Sequence, residues 1–367
     1  MSERRPNLGA ELMAARVQRA RELLAALHLD ALLVSDLHDV RYLSGFRGED
    51  TWLLIGAEAA LICTDARFVP LGPEVVGFTL ELTERLLDDA VRALARELGP
   101  AAAVGIQGGH LTYADHRRLR RLHQGRLRDV GTRVSALRAV KDAGEIATVR
   151  HAAEIADAAL EAVLSEGLIG RTEAEVAWDL RAAMHGLGAE DVAFEAIVAG
   201  GERGALAHAI PGERRIAAGE LVVIDCGARV DGYCSDITRT VAAGPVGDEE
   251  RRVYDVVLQA QLAGLAAVRA GVGGRTVDAA ARGVIDEAGF GSSFAHGTGH
   301  GVGLAVHEHP RLGRRVGDAL RAGMIATVEP GIYLPGSFGV RIEDTVLVTD
   351  DGCERLTRFP KELRVVE

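Results

Sequence analysis

Asp225, Asp236, His300, Glu329 and Glu343 fall in glycine-rich, strand-like surroundings within the last two fifths of the chain. Four carboxylates and one imidazole are the kind and number of ligand that two divalent cations need. The first two lie in Val222-Val-Ile-Asp225-Cys-Gly-Ala-Arg-Val-Asp231-Gly232-Tyr-Cys-Ser-Asp236-Ile-Thr238, which reads as two apolar strands around a two-residue hairpin turn at Asp231-Gly232. That register sets Val230 opposite Tyr233 and Gly227 opposite Asp236, and period-two alternation turns Asp225 to the same face as Gly227. The two carboxylates become diagonal neighbours, roughly 7–8 Å apart at the backbone. A glycine leaves space between them, which suits a pair of ions standing about 3.5–4 Å apart.

Three further segments carry chemistry. Phe294-Ala-His296-Gly-Thr-Gly-His300-Gly-Val-Gly-Leu-Ala-Val-His307-Glu-His309-Pro310 concentrates four histidines among glycines, where backbone and ligand can approach closely. It lacks the Gly-Lys-Ser/Thr ending of a nucleotide-binding loop. His309 reads as a solvent-facing loop histidine. Glu329 ends an expected strand at 324–329, directly before Pro330-Gly331, and so sits at a rim. Glu343 lies in Val340-Arg-Ile-Glu-Asp-Thr-Val346, where strand alternation puts Arg341, Glu343 and Thr345 on one face. Taken singly, each acid reads as a surface or salt-bridge residue. Taken together, buried carboxylates require cations to offset their desolvation.

Positioning these groups takes an α/β (α+β) scaffold in two parts. Residues 11–28 carry leucine and alanine at helical spacing, and 31–34, 52–55 and 60–63 read as short buried strands. A helix around 84–98, a strand at 102–106 and a basic helix over 117–128 complete a unit of 1–134. In that basic helix Leu119 and Leu122 form one buried stripe beneath a solvated arginine face. The second unit, 135–367, alternates long helices (143–165, 172–187, 248–270, 275–288) with strands at 221–226, 233–241, 324–329 and 340–348.

Composition excludes several classes. A formal charge of −11 disfavours nucleic acid as a partner. No apolar run is long enough to span a membrane, and residues 1–6 lead into a charged amphipathic stretch and not into the apolar core of a secretory signal, so the cytoplasm is the default location. Cysteines 63, 226, 234 and 353 form no C-x-x-C pair and read as buried free thiols.

The order Asp225, Asp236, His300, Glu329, Glu343, with the words His-Gly-Thr-Gly-His-Gly-Val-Gly-Leu, Val-His-Glu-His-Pro, Glu-Pro-Gly-Ile-Tyr and Arg-Ile-Glu-Asp-Thr, resembles the pita-bread metallopeptidase family (M24) of prolidase, aminopeptidase P and methionine aminopeptidase. The resemblance covers roughly residues 135–367, a pita-bread catalytic domain. The words Asp39-Val-Arg-Tyr-Leu-Ser-Gly-Phe46 and Cys63-Thr-Asp-Ala-Arg67 look like the smaller, creatinase-like N-terminal domain of the proline-specific branch, with a role in dimerisation and substrate gating. Methionine aminopeptidase shares the ligands, and a word like His208-Ala-Ile-Pro211, but lacks such a domain. Ala207 departs from the proline that proline-specific members commonly carry before this histidine, which leaves the loop's shape open.

The resemblance implies that Asp236 and Glu343 share two divalent ions, that Asp225 holds one, and that His300 and Glu329 hold the other. Oxygen-rich ligation suits manganese, with cobalt or zinc as alternatives. It further implies hydrolysis of Xaa-Pro bonds in short peptides by a metal-bridging hydroxide, in a homodimer. Glu329 is the expected proton shuttle. His208 and His307 would stabilise the tetrahedral intermediate, His296 would lie near the proline pocket, and Arg341 would orient acidic groups through bidentate hydrogen bonds. Thr238 and Thr345 would donate to the ligands. Prolidase and aminopeptidase P remain alternatives. A dipeptidase must neutralise the substrate's free carboxylate, and Arg47, in a glycine-flanked loop of the first unit, is either that clamp, reaching a partner's site, or an ordinary exposed arginine. A binding protein of this fold without metals would have lost ligands, which this chain retains.

Overall fold

The computed structural model describes residues 10–75, 77–315 and 319–367. The reading of residues 1–6 as no secretory signal lies outside them. The chain divides into two compact units at Arg138/Ala139. Among the described residues, no helix is long and apolar enough to cross a membrane.

In the first unit, α1 (Ala10–Ala26), β1 (Ala31–Val34), α2 (Leu37–Ser44), β2 (Thr51–Gly56), β3 (Ala60–Thr64), β4 (Thr79–Leu82), α3 (Leu86–Leu98), β5 (Val104–Ile106), α4 (Tyr113–Leu122) and β6 (Leu127–Asp129) follow in order. The six strands form one mixed sheet in the order β4-β3-β2-β1-β5-β6. Leu33, Leu54, Leu94 and Leu119 pack in its core. The Asp36 side chain caps α2 by accepting from the His38 amide at 2.8 Å, and Gly45 ends the helix at φ 73°, a conformation glycine adopts without strain. In α4 only Leu119 is buried, whereas Leu122 is 44% exposed. The expected two-leucine stripe is therefore one residue wide, with Leu122, the last residue of the helix, left exposed.

The second unit runs α5 (Ala143–Ser165), α6 (Glu173–Gly186), β7 (Asp191–Val192), β8 (Ile197–Gly200), β9 (Glu220–Cys226), β10 (Ala228–Val230), β11 (Tyr233–Cys234), β12 (Ile237–Ala243), α7 (Asp248–Ala267), α8 (Gly274–Glu287), β13 (Gly299–Gly301), β14 (Glu308–Leu312), β15 (Ile325–Val328), β16 (Gly331–Leu334), β17 (Phe338–Arg341), β18 (Asp344–Val348), β19 (Cys353–Arg355) and β20 (Val365–Val366). Both of the first two helices begin with a reciprocal capping box, Asp142 with Glu145 and Thr172 with Glu175, which satisfies amides the helix itself leaves unpaired. Their apolar faces pack on β8 to β12 around Leu160, Leu180, Val222 and Ile224. The helices α7 and α8 pack on β16 and β17 through Val257, Ile285, Ile332 and Val340.

Two sheets carry the chemistry, one in the order β20-β12-β9-β8 and one in the order β14-β13-β15-β18-β19. The Asp231-Gly232 turn has φ of 45° and 71°, as a two-residue hairpin requires. Val230 pairs with Tyr233, and the same register continues to Cys226–Ile237 and Asp225–Thr238. The expected strand over 340–348 is interrupted. Its first half, β17, pairs with β16, and its second half, β18, pairs with β15. Ile342 and Glu343 occupy the junction where the chain changes partners.

Candidate metal centre

Asp225 is the penultimate residue of β9, Asp236 precedes β12, His300 is central in β13, Glu329 follows β15, and Glu343 sits at the β17/β18 junction. All five line one cavity of about 630 Å³. Donor atoms of Asp236, His300 and Glu343 lie within 4.8 Å of one another, and all three residues are buried. Glu329 Oε1 is 3.2 Å and Asp236 Oδ2 3.6 Å from His300 Nε2. Strands can come this close because glycines flank His300: a Cβ at Gly299 would stand 2.0 Å from the Thr327 carbonyl oxygen, and one at Gly301 2.1 Å from that of His309. Gly227 answers a similar need. A Cβ there would meet the Ser235 carbonyl oxygen at 2.0 Å, so this glycine serves a close backbone crossing and not the spacing of ions.

Each ligand is held by a named partner. The His300 Nδ1 faces the Gly301 carbonyl at 3.1 Å, which only accepts, so Nδ1 carries hydrogen and Nε2 points at the acids. Thr327 Oγ1 accepts from the His300 amide at 3.0 Å and donates to Glu329 Oε1 at 3.1 Å, tying two ligands together. Thr238 Oγ1 donates to Glu343 Oε2 at 2.7 Å. Thr345 Oγ1 instead donates to the Asp236 backbone carbonyl at 2.7 Å, not to a ligating carboxylate. Arg341 does not clamp one carboxylate bidentately as expected. It spreads its donors over Asp225 Oδ2 (2.7 Å), Thr238 Oγ1 (3.0 Å), the Tyr333 hydroxyl (2.9 Å) and the Ala207 carbonyl (3.2 Å), because β16 and β9 converge on it.

The electrostatics call for cations. Burial first, then Glu343, Asp225 and Glu329, pushes Asp236 well above the ordinary carboxylate range. Burial followed by Glu329 and Asp225 does the same to Glu343. Asp225 is raised too, chiefly by burial and against the pull of Arg341. Burial also works against ionised Glu329, but the His300 hydrogen bond and charge outweigh it and hold that carboxyl at about 2. His300 is raised: burial opposes its charge, and the Glu329 hydrogen bond and charge overcome it. A proton on His300 thus supplies the positive charge that a cation would bring. Asp225 Oδ1 is buried with no hydrogen-bond partner. An orphaned carboxylate oxygen, crowded acids that resist joint ionisation and an imidazole aimed among them fit a pair of divalent cations.

His208, His296, His307 and Arg341 line the same cavity. His296 Nδ1 faces the Gly297 carbonyl at 2.8 Å and therefore donates, leaving Nε2 to accept from Tyr333, 2.8 Å away. Its pKa is lowered, mainly by burial. His307 lies with its ring 4.2 Å from that of His300; burial, His300 and Arg311 bring it down to about 4, so it is neutral at pH 7. His309 belongs to β14 and is half-buried, not a loop residue in solvent, since Glu308–Leu312 pairs with β13. Arg47 lies in the first unit, exposed in the loop after α2. Sequence reasoning missed Tyr333 and Thr327 as organisers, and it missed Arg311. Arg311 pairs across the ladder with His300 and lines the cavity. The signal for it was the strand through His309-Pro310, where His309 had read as a loop residue.

Residues 147–350 match Metallopeptidase family M24, and residues 16–140 match the Creatinase/Prolidase N-terminal domain. The chain is 35% identical over 355 residues to a Xaa-Pro dipeptidase of Pyrococcus horikoshii, covering 96% of this chain and 99% of that one. It is similar in structure to a Xaa-Pro dipeptidase from Bacillus anthracis (TM-score 0.93, 38% identity, 96% and 100% covered). It is also similar to an X-Pro aminopeptidase from Thermotoga maritima (TM-score 0.86, 35% identity, 96% and 100% covered). With the ligand-rich cavity in its second unit, the chain belongs to metallopeptidase family M24 and carries a creatinase/prolidase N-terminal domain ahead of it.

Proposed function

We propose that this chain hydrolyses the Xaa-Pro bond of dipeptides in a metal-dependent reaction. The observation that favours a dipeptide over a longer peptide is Arg311. Cross-strand partners share a sheet face, so its side chain leaves the ladder on the side of His300, and among the described residues it has no hydrogen bond or ion pair. A free guanidinium beside the ligands suits the carboxylate of a terminal proline.

Asp225, Asp236, His300, Glu329 and Glu343 would hold the ions, with manganese favoured by four carboxylates against one imidazole. Two divalent cations, when bound, lower the pKa of a water and polarise the scissile carbonyl. Glu329, ionised through neutral pH, accepts a proton from the attacking water and delivers it to the proline nitrogen, which leaves only once protonated. His208 and neutral His307 donate to the oxygen on which charge develops. His296, braced by Tyr333, borders the proline ring. We further propose a cytoplasmic homodimer in which Arg47 of a second copy also approaches the substrate.

Manganese-loaded protein is expected to cleave Ala-Pro but not Ala-Pro-Ala, and a chelator is expected to abolish the activity. Efficient tripeptide cleavage would instead indicate an aminopeptidase P, and inactivity on both would overturn the reading. Arg311→Gln should raise KM for Ala-Pro about tenfold or more, as loss of a charge-assisted hydrogen bond implies, and leave Ala-Pro amide unaffected. Arg47→Ala should raise KM for Ala-Pro severalfold; an unchanged KM removes Arg47 from the substrate site.

A further inference from the structure

His208 lies in a turn after the short 3-10 helix Gly201–Ala205 in the connection between β8 and β9, and Ala207 before it lacks the fixed φ a proline would bring. Something else must hold that segment still. Glu173, in the first turn of α6, is fully buried and accepts four hydrogen bonds: from the Gly200 amide (3.1 Å), the Gly212 amide (3.3 Å) and Arg203 Nε (2.9 and 3.2 Å to its two oxygens). Arg203 Nη2 in turn donates to the Ile210 carbonyl at 2.5 Å. One buried carboxylate therefore gathers both ends of residues 200–212, and the arginine it fixes pins the chain two residues beyond His208. On the other side of His208, Arg341 Nη1 holds the Ala207 carbonyl at 3.2 Å. The backbone between is further closed by bonds from Leu206 to Arg203 (2.9 Å) and from Ala209 to Leu206 (3.1 Å).

We infer that Glu173 and Arg203 are positioning residues for His208, with Arg203 clamping the His208 loop against the catalytic cavity. The inference rests on the role proposed above for His208. An arginine is required because Nε must meet the carboxylate while Nη2 reaches a carbonyl; a lysine offers one nitrogen and can satisfy only one of the two. The clamp acts on the transition state, where the His208 donor must be in place, more than on ground-state binding.

The test compares Arg203→Lys, His208→Ala and the double variant by steady-state hydrolysis of Ala-Pro at saturating manganese, with Tm and bound metal measured in parallel. Arg203→Lys keeps a cation on buried Glu173, so Tm and metal content should match the wild type while kcat falls about tenfold with KM changed less than twofold. In the double variant the rate should equal that of His208→Ala alone, because the clamp has nothing left to position. Ala207→Pro should restore part of the kcat lost by Arg203→Lys: Leu206 already has the extended backbone (φ −96°, ψ 102°) that a residue before proline needs. Wild-type kcat in Arg203→Lys, or losses that multiply in the double variant, would overturn the inference. A wild-type protein inactive on Ala-Pro, or a His208→Ala variant at full rate, would instead refute the functional reading on which it rests.

Discussion

Asp236→Asn should reduce Ala-Pro hydrolysis by at least about a thousandfold, equivalent to about 4 kcal/mol of transition-state stabilisation, and should make the metal-free protein more stable at pH 8. The first effect follows from removing an acid whose donor oxygen lies within 4.8 Å of those of His300 and Glu343. The second has the opposite sign from most buried substitutions. Asp236 is 4% exposed, and burial and three neighbouring acids raise its pKa in the folded state. A carboxyl whose folded pKa lies above its unfolded value binds protons more tightly when folded. Its contribution to stability is fully present below the unfolded value and is lost as pH rises towards the folded one. Asparagine has the same shape and nothing to ionise, so the chelated variant escapes that loss. Thermal unfolding of chelated wild type and variant at pH 5 and pH 8 checks the sign, with the gap widening in the variant's favour at pH 8. A chelated variant less stable than wild type at both pH values would mean that the Asp236 charge is compensated without a cation.

The second large effect is metal removal. The same raised acids and His300 hold protons more tightly than free side chains do, so arriving cations compete with protons for them. Apparent metal affinity is therefore expected to rise with pH, and uptake at pH 7 should liberate more than one proton per chain. Calorimetric titrations in two buffers of different ionisation heat count those protons. At free metal a hundredfold above Kd, binding adds about 2.7 kcal/mol to stability. For a domain of this size that corresponds to roughly 5–10 °C in Tm. Zero protons released and an unmoved Tm would show that the acids are already neutralised by the protein.

The hairpin was legible in the sequence because its turn is chemically restrictive. Asp231 and Gly232 are residue types that accept positive φ, and once the turn is two residues long the register to Thr238 is forced. The long amphipathic helices were legible for the same local reason. What escaped depends on contacts between distant segments. An alternating run over 340–348 looks like one strand, and nothing local says that it changes partner at Ile342-Glu343 from β16 to β15. Gly227 read in sequence as room between two ligands, and only its approach to the Ser235 carbonyl shows that it serves a backbone crossing. Thr327 and Tyr333 gained their roles from partners on other strands, and Arg311 from the ladder that β14, which itself includes His309-Pro310, makes with β13. Arg341, by contrast, read as a bidentate partner for acidic groups, whereas Asp225, Thr238, Tyr333 and Ala207 share its donors.

The most direct test of the account is to titrate chelated protein with manganese while recording bound metal and Ala-Pro hydrolysis in the same samples. Binding of two ions per chain, with activity rising in step and absent from Asp236→Asn and Glu343→Gln, is the predicted result. Full activity before any ion is added, or a single ion bound with both variants active, would contradict it.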